Sequence, residues 1–395
     1  MPTQSKKSGR VKELQLATTQ GAAGALIRES QFIMRYSDEA ISDPSRALAL
    51  SMPPQARTYS SNRIPPILAM NLPEGFLLGL VQDRYAKVMD VKDEMNLLAL
   101  TSTPTAGRVW AHSQDLPESA RKGGSVSLKS ILSAKGTEDL FDDLVERFAQ
   151  STSLAGVMPK VAVSEKGQLH TPDLIVKTGA AEYPDLAENE FICMSIAKAA
   201  GVEVPEFWMS DNRQLFVIRR FDFLGSGKYS GFEDMAALTG RMPSQKYEGH
   251  FGNIALAIRD NVPAGVQAES LERFFRQLTV CILLRNGDAH LKNWGLTYTD
   301  PSTASRDARL SPAYDIVCTV VYIAKDVLAL GFQGSKSWPD RATVEQFGKQ
   351  HCGLTHPGKI IDEIRDAAMA FRPQERTKMW KSVRKVAEIG CASLG

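Results

Sequence analysis

Residues 285–296 read RNGDAHLKNWGL and crowd Asp288, His290, Lys292 and Asn293 into a short polar stretch. The segment before them (268–285) has the apolar spacing of a long buried helix, and the segment after them, WGLTY, is short and apolar. Polar loops held between rigid elements are where reactive groups tend to lie. Asn-Gly-Asp is also typical of a tight surface turn. The stretch alone therefore allows two interpretations, a reaction site or a solvated turn.

The spacing within the loop favours phosphoryl transfer. Asp288 and Asn293 stand as in the Asp-x-x-x-x-Asn catalytic loop of protein kinases, and LSPAYDIV (310–317) adds a second carboxylate, Asp315. This chemistry needs one carboxylate to orient the attacking hydroxyl and oxygen ligands for Mg²⁺. Asp288 fits the first role, and Asn293 and Asp315 fit the second. A zinc site at His290 is the alternative, although no second His or Cys stands at ligand spacing nearby.

Composition bounds the class of protein. A chain of 395 residues with 43% hydrophobic and 23% charged residues indicates a soluble globular protein with more than one domain or lobe. A net charge of +2 predicts no sequence-independent binding to nucleic acid. The five cysteines are scattered and form no Cys-x-x-Cys pair, which indicates free thiols. With no apolar signal or membrane segment visible, we expect a cytoplasmic protein that does not contact membranes.

The first part of the chain predicts a small β-rich subdomain, residues 1–120. Short alternating apolar runs between residues 11 and 70, RALALSM (46–52) among them, predict strands. The pattern changes to helical spacing at 70–88. The Gly/Ser-rich interval 118–127 is typical of a linker, and 137–151 has the pattern of a helix.

A second lobe is predicted for 121–222 and a mostly helical third region for 223–395. Residues 160–179 predict a hairpin and 214–222 a strand. Between them, 186–201 predicts a helix that ends at Gly201 and buries the face formed by Cys193, Ile196, Ala197 and Ala200. Long helical patterns then cover 268–285 and 359–391.

The mixed lobe also carries residues that fit a nucleotide site. Lys177 ends an apolar strand, where its ammonium could reach phosphates, and a glutamate of the next helix could pair with it. Helix phase leaves Glu190 and Glu188 as alternatives for that partner. Upstream, the loop 151–160 offers small residues that let backbone N–H groups approach phosphate, although it is not a Gly-x-Gly-x-x-Gly or Walker loop.

Six segments, in this order along the chain, resemble the HipA-like serine/threonine kinases, the toxin halves of bacterial toxin–antitoxin pairs. They are STSLAGVMPK (151–160), DLIVKTG (173–179), AENEFICMSIAKAAGVEVPE (187–206), FVIRRFD (216–222), NGDAHLKNWGL (286–296) and LSPAYDIV (310–317). The resemblance also reaches ALALSMPPQ and GFLLGLVQDRYAKV, so it covers most of the chain. It implies an α+β, bilobal protein-kinase-like fold with an additional N-terminal β-rich subdomain and a mostly helical C-lobe.

The resemblance also implies roles. Asp288 would be the catalytic aspartate, and Asn293 and Asp315 would bind Mg²⁺. Contacts to ATP are implied for loop, strand, hinge and catalytic-loop residues, namely Ser153, Leu154, Ala155, Gly156, Val157, Lys177, Arg219, Phe221 and His290. Ser153 matches the family's autophosphorylated serine. Its modification would add about two negative charges where the phosphates of ATP must lie, and would switch the enzyme off.

Two departures from the family pattern stand out. Met158 replaces a common Gln in the phosphate loop, and Arg219 stands at a hinge position that is often acidic. Neither departure alters Asp288, Asn293 or Asp315, so we expect an active enzyme.

Family precedent implies an aminoacyl-tRNA synthetase as substrate, an antitoxin of the helix-turn-helix type as partner, and DNA only through that complex. Two alternatives remain open. A small-molecule kinase of the aminoglycoside-phosphotransferase type also uses a GD-x-H-x-x-N loop, and a DNA-bound co-repressor would act with the antitoxin. The near-neutral charge argues against strong DNA binding by this chain alone.

Overall fold

A computed structural model describes most of the chain. The described residues are 10–86, 89–100, 106–113, 125–134, 141, 144, 160–165, 173–179 and 182–395. The predictions for the phosphate loop, Ser153 and Met158 included, lie outside them, as do most of those for 118–127 and 137–151. Within the last segment, Phe141 and Leu144 are helical and buried.

The N-terminal part is an antiparallel five-stranded sheet with helices against it. The strands stand in the order β4-β3-β2-β1-β5, with bounds β1 Glu13–Thr18, β2 Gly21–Arg28, β3 Phe32–Tyr36, β4 Tyr59–Ser61 and β5 Val109–His112. The helices are α1 Asp38–Ser42, α2 Pro66–Ala69, α3 Gly75–Tyr85 and α4 Glu94–Leu100. The predicted β-rich piece and the helix within 70–88 are therefore confirmed.

The strand predicted at RALALSM is wrong. Pro44–Arg46 forms a 3-10 turn, and Ala49 and Met52 meet only in an isolated bridge. The guanidinium of Arg108 donates to the carbonyls of Ser45 and Ala47, both at 2.6 Å. A side chain therefore satisfies backbone groups that a neighbouring strand would otherwise pair, while the apolar side chains of the segment are buried as an irregular loop.

The second sheet has the order β6-β7-β8-β10-β9, in which only β6 and β7 pair in parallel. Its bounds are β6 Ser125–Val126, β7 Lys160–Glu165, β8 Leu174–Thr178, β9 Phe207–Met209 and β10 Leu215–Arg219, with helix α5 Leu128–Leu132 after β6. The hairpin β7–β8 and the strand β10 confirm the predictions. The predicted linker 118–127 is wrong at its end, because β6 extends the sheet there.

Helix α6, Leu186–Ala199, packs beneath this sheet. Its predicted inner face is confirmed, since Cys193, Ile196, Ala197 and Ala200 are all buried. Gly201 follows with φ +76°, a left-handed conformation that glycine adopts without steric cost. The helix therefore ends where the sequence predicts.

The C-terminal part is mostly helical but also holds a hairpin and a three-stranded sheet. The strands are β11 Phe223–Gly225, β12 Lys228–Tyr229, β13 Gly231–Asp234, β14 Gly295–Tyr298 and β15 Arg309–Leu310. The helices are α7 Met235–Leu238, α8 Phe251–Asn261, α9 Ala264–Leu283, α10 Ala304–Asp307, α11 Arg341–Cys352, α12 Pro357–Ala370 and α13 Lys378–Ser393. The RNGDAHLKNWGL stretch joins α9 to β14. Among the described helices, none is both long and apolar enough to cross a bilayer.

The helical pattern predicted over 359–391 is confirmed and forms two helices with a break between them. Helix α12 stops at Ala370 and α13 starts at Lys378. Pro373 lies between them. Proline lacks the N–H that a helix needs and disfavours helical geometry in the residue before it, so the pattern breaks there.

Candidate active site

A cavity of about 460 Å³ lies where the three parts of the chain meet. Every predicted site residue that the structure describes lines it, namely Lys177, Arg219, Phe221, Asp288, His290, Asn293 and Asp315. Residues far apart in sequence therefore converge on one cavity.

Strand β8 carries Lys177 into the cavity. Its ammonium donates to Glu190 Oε1 over 2.6 Å and also to Asp315 Oδ1. The predicted partner Glu190 is confirmed. The alternative, Glu188, instead accepts hydrogen bonds from Arg213 (2.7 Å) and Thr377 (2.6 Å), and so ties α6 to the start of α13.

Lys177 and Glu190 of this ion-paired triad are buried, which strengthens the electrostatic interaction between them. Lys177 is 3% exposed and Glu190 is 1% exposed. Burial alone would lower the pKa of Lys177, but the carboxylates of Asp315 and Glu190 outweigh it and hold that pKa above its usual range. The ammonium of Lys177 therefore stays charged at physiological pH. Its ion pair with Glu190 holds α6 against β8, the strand that carries Lys177.

The loop 285–296 begins with a tight turn that borders the cavity. The backbone N–H of Asn286 returns to the carbonyl of Cys281 (2.8 Å), and its side-chain oxygen accepts the N–H of Asp288 (3.1 Å). Gly287 packs so closely that a Cβ there would lie 2.0 Å from Asp326 Oδ2. The turn thus presents Asp288 to the cavity, so the tight turn predicted from Asn-Gly-Asp is present and borders the candidate site.

Asp288 has one neighbour that the sequence did not predict. The hydroxyl of Tyr247 donates to Asp288 Oδ1 over 2.7 Å, and the tyrosine ring stands edge-on to His290. Burial lowers the pKa of His290, so its ring is neutral at pH 7. Its buried Nδ1 has no hydrogen-bond partner in the described part of the chain.

Asn293 and Asp315 form an oxygen-rich corner. The side-chain amides of Asn286 and Asn293 both donate to the carbonyl of Asp315 at 3.5 Å, and Asp315 has a left-handed φ of +54°. Among the described residues, the buried Oδ1 of Asn293 accepts no hydrogen bond. An orphaned amide oxygen beside a carboxylate fits a hard cation such as Mg²⁺, which keeps several waters and takes few protein ligands.

No set of three or more His, Cys, Asp or Glu side chains in the described ranges could hold a metal by itself. The structure thus brings no further ligands to His290 for the alternative zinc site, since zinc sites use three or four protein ligands. A Mg²⁺ site with phosphate oxygens does not need such a set.

The hinge between the lobes follows β10. The N–H of Arg219 donates to the Glu206 carbonyl (2.9 Å), so this N–H is already paired within the protein. The ring of Phe221 stacks on Tyr314, with centroids 5.4 Å apart, and stands edge-on to Phe232. These rings line the cavity at the hinge and provide a flat apolar wall.

Two positioning contacts escaped the sequence reasoning. The buried amide of Asn189 accepts the N–H of Cys318 (2.8 Å) and donates to its carbonyl (3.1 Å), which joins α6 to the segment after Asp315. Asn189 precedes Glu190 on a buried helix, and a polar residue there was the available signal. For Tyr247 the sequence carried no signal, because its contact to Asp288 spans 41 residues.

Lys292 links the loop 285–296 to the N-terminal part. Its ammonium donates to the Met70 carbonyl (3.0 Å) and lies 3.3 Å from Glu74 and 3.5 Å from Asp234. The sequence leaves Lys292 as either a loop-shaping or a phosphate-proximal residue, and these contacts are consistent with the first role.

Known proteins resemble this chain over nearly its whole length. The HipA-like C-terminal domain matches residues 152–371, and the HipA N-terminal domain matches residues 14–111. A Sinorhizobium fredii protein named "Putative kinase Y4dM" is 30% identical, over 91% of this chain and 88% of its own. A Haemophilus influenzae protein named "Putative kinase" is 29% identical, over 44% of this chain and 54% of its own.

Among solved structures, HipA from the Shewanella oneidensis MR-1 toxin–antitoxin system, in complex with HipB and operator DNA, has a TM-score of 0.68 at 18% identity. The match covers 96% of both chains. The predicted α+β fold of two lobes and a β-rich N-terminal subdomain is thereby confirmed. Because the C-terminal family domain spans more than half of the chain and a relative matches along nearly all of it, this chain belongs to the HipA-like family.

Proposed function

We propose that this chain is a Mg-ATP-dependent serine/threonine protein kinase that acts as a HipA-like toxin. One observation carries the proposal. Lys177 joins Glu190 and Asp315 in the cavity that Asp288 and Asn293 also line. Ammonium, carboxylate base and oxygen ligands for a cation are the parts that phosphoryl transfer needs.

Each part has a proposed role. Lys177 holds phosphate oxygens of ATP, and Asn293 and Asp315 hold Mg²⁺, which would neutralise charge on the phosphates. Asp288 orients the acceptor hydroxyl and accepts its proton. Phe221, and backbone groups near Arg219 other than its paired N–H, hold adenine at the hinge, and neutral His290 lies close to the phosphates.

Regulation by self-modification is part of the proposal. Residues 153–157 cover the phosphates of ATP, and autophosphorylation of Ser153 inactivates the enzyme because the added charge repels the nucleotide. This rests on the family resemblance of STSLAGVMPK.

The proposed biological setting follows the family. The substrate is an aminoacyl-tRNA synthetase, whose phosphorylation would inhibit translation in the cytoplasm. The proposed partner is a helix-turn-helix antitoxin, and DNA is contacted only through that complex. The Shewanella oneidensis HipA structure, which contains HipB and operator DNA, supports such a partnership.

The experiment is incubation of the full chain with Mg-ATP and a cell extract, followed by phosphosite mapping of both. We expect phosphate on serine or threonine of an extract protein and on Ser153. Ser153→Ala should remove the main self-modification and leave substrate labelling intact. Label only on small metabolites would instead support the aminoglycoside-phosphotransferase type. Unchanged self-phosphorylation in Ser153→Ala would overturn the assignment of that serine.

A further inference from the structure

The hydroxyl of Tyr247 lies where a phosphoryl acceptor would have to lie. It follows the 3-10 turn Pro243–Gln245 and donates to Asp288 Oδ1 over 2.7 Å. In phosphoryl transfer by this kind of site, the acceptor hydroxyl makes that same hydrogen bond before it attacks. The carboxylate assigned to catalysis is therefore already engaged by a hydroxyl of its own chain.

The ring contacts His290 and Lys246 and is partly exposed. It stands edge-on to His290 with centroids 5.1 Å apart, and the Lys246 ammonium lies 5.5 Å from its centroid. Tyr247 is nevertheless 43% exposed. A ring on a surface turn can leave Asp288 without opening the hydrophobic core.

The phenol of Tyr247 is held in its protonated form. Burial raises the pKa of Tyr247, and the neighbouring Asp288 raises it further. The hydroxyl thus remains protonated at neutral pH and can donate to Asp288, as the hydroxyl of a substrate would.

Two exposed apolar side chains lie on the segment around Asp326, which borders the cavity together with Tyr247. Ile323 lines the cavity and is 47% exposed, and Val327, 45% exposed, belongs to the segment that packs on Gly287. Exposed apolar side chains grouped in this way are typical of surfaces that bind another protein. The neighbourhood of Asp288 therefore fits a protein segment as the molecule that displaces Tyr247.

We propose that Tyr247 guards the acceptor position: its hydroxyl occupies Asp288 until the hydroxyl of a protein substrate displaces it, and water is kept out meanwhile. The inference rests on the proposed kinase function. Without the guard, a water oxygen would attack the γ-phosphorus of ATP and give its proton to Asp288. The bond from that phosphorus to the β,γ-bridging oxygen would break, and ADP would leave with the electron pair. The products would be ADP and phosphate.

The test is ADP release from Mg-ATP by the purified full chain without any protein substrate. Tyr247→Phe removes only the guarding hydroxyl, and we expect hydrolysis to rise about fivefold, the factor that corresponds to one hydrogen bond of about 1 kcal/mol. Tyr59→Phe is the matched control, because it removes a hydroxyl bonded to the Pro53 carbonyl (2.6 Å) far from the cavity. The double variant Tyr247→Phe/Asp288→Asn should fall to the level of Asp288→Asn.

Three results would overturn the guard. Two of them concern the rate of ATP hydrolysis: no change in Tyr247→Phe, or an equal rise in Tyr59→Phe. Asp288-dependent phosphate found on Tyr247 itself by mass spectrometry would show an acceptor instead. Failure of the proposed function looks different, since then no variant would transfer phosphate to any acceptor, water included, and the guard would fall with it.

Discussion

The carboxylate of Asp222 and the amide of Asn293 are both buried, at 2% and 5% exposure, yet their hydrogen bonds differ. Asp222 accepts two bonds from the Arg220 guanidinium (3.0 and 2.6 Å) and one from the N–H of Gly107 (2.6 Å). Asn293 Oδ1 accepts none within the described residues. Burying a polar atom without a partner costs free energy, so it persists where something else supplies the partner. Arg220 and Asp222 also border the cavity, but the Asp222 carboxylate is satisfied within the protein, whereas the orphaned oxygen of Asn293 fits a ligand.

The largest effect is expected on phosphoryl transfer, when Asp288, which lines the same cavity as Asn293, is changed. Asp288→Asn should lower phosphoryl transfer about 10³-fold, because the side chain can no longer accept the acceptor's proton. Its amide oxygen can still accept the hydrogen bond of Tyr247, so stability should change by less than about 1 kcal/mol. Transfer of labelled phosphate and urea unfolding measure the two quantities.

Asp366→Asn, on the exposed face of α12, is the matched control and should behave like the wild type. A fully active Asp288→Asn would remove the cavity from the mechanism and leave the orphaned Asn293 oxygen unexplained.

The Lys177 triad belongs to both categories, since it is paired internally and lines the cavity. Lys177→Met would leave the Glu190 carboxylate buried without its ammonium, and we expect a loss of about 3–5 kcal/mol in the free energy of unfolding. Lys177→Met/Glu190→Gln should recover most of that stability, because the second change removes the uncompensated charge. Neither variant should transfer phosphate.

Urea unfolding of the single and double variants measures the coupling between the two positions. A double variant as unstable as the single one would mean that Glu190 is not the main partner of Lys177 in solution.

Variants of Asp222 and of Asn293 should also differ in whether Mg-ATP stabilises the folded protein. Asp222→Asn weakens the bonds to the buried Arg220 and should cost about 3 kcal/mol, while the remaining folded protein is still stabilised by Mg-ATP. Asn293→Leu gives up only a weak bond to Asp315, so it should cost about 1 kcal/mol but lose the stabilisation by Mg-ATP. Thermal unfolding with ATP, with and without Mg²⁺, separates the two. Equal stabilisation of Asn293→Leu by Mg-ATP would contradict a metal role for Asn293.

Local patterns predicted much of this arrangement. Asp288 and Asn293 were identified by spacing within one loop. Helix periodicity left Glu188 and Glu190 as alternative partners of Lys177, and only the packing of α6 against β8 assigns Glu190. Tyr247 could not be predicted, because its contact with Asp288 exists only once α8, α9 and the loop pack together. RALALSM shows the opposite failure. Its apolar residues correctly indicated burial, but burial does not require a strand when Arg108 satisfies the backbone.

Glu233 joins the N-terminal part to the C-terminal sheet, and its effect on stability should appear only as a dependence on pH. Its Oε1 accepts the N–H of Leu50 (2.7 Å) and the hydroxyl of Tyr298 (2.5 Å). Burial raises the pKa of Glu233 from 4.5 to about 7. Between these two values the folded chain binds a proton that the unfolded chain has released, so stability should fall as pH rises through this window. Glu233→Gln mimics the protonated acid and removes that slope.

The difference in stability between Glu233→Gln and the wild type should therefore grow in favour of the variant from pH 5 to pH 8, by up to about 3 kcal/mol. Thermal unfolding across that range measures it, and Glu29→Gln in an exposed turn serves as the control, with a change below about 0.5 kcal/mol at every pH. A flat difference would mean that Glu233 is ionised in the folded protein. That would require a compensating partner like the one Arg220 supplies to Asp222, and the interface would then be a second charge-paired cluster rather than one held by a neutral acid.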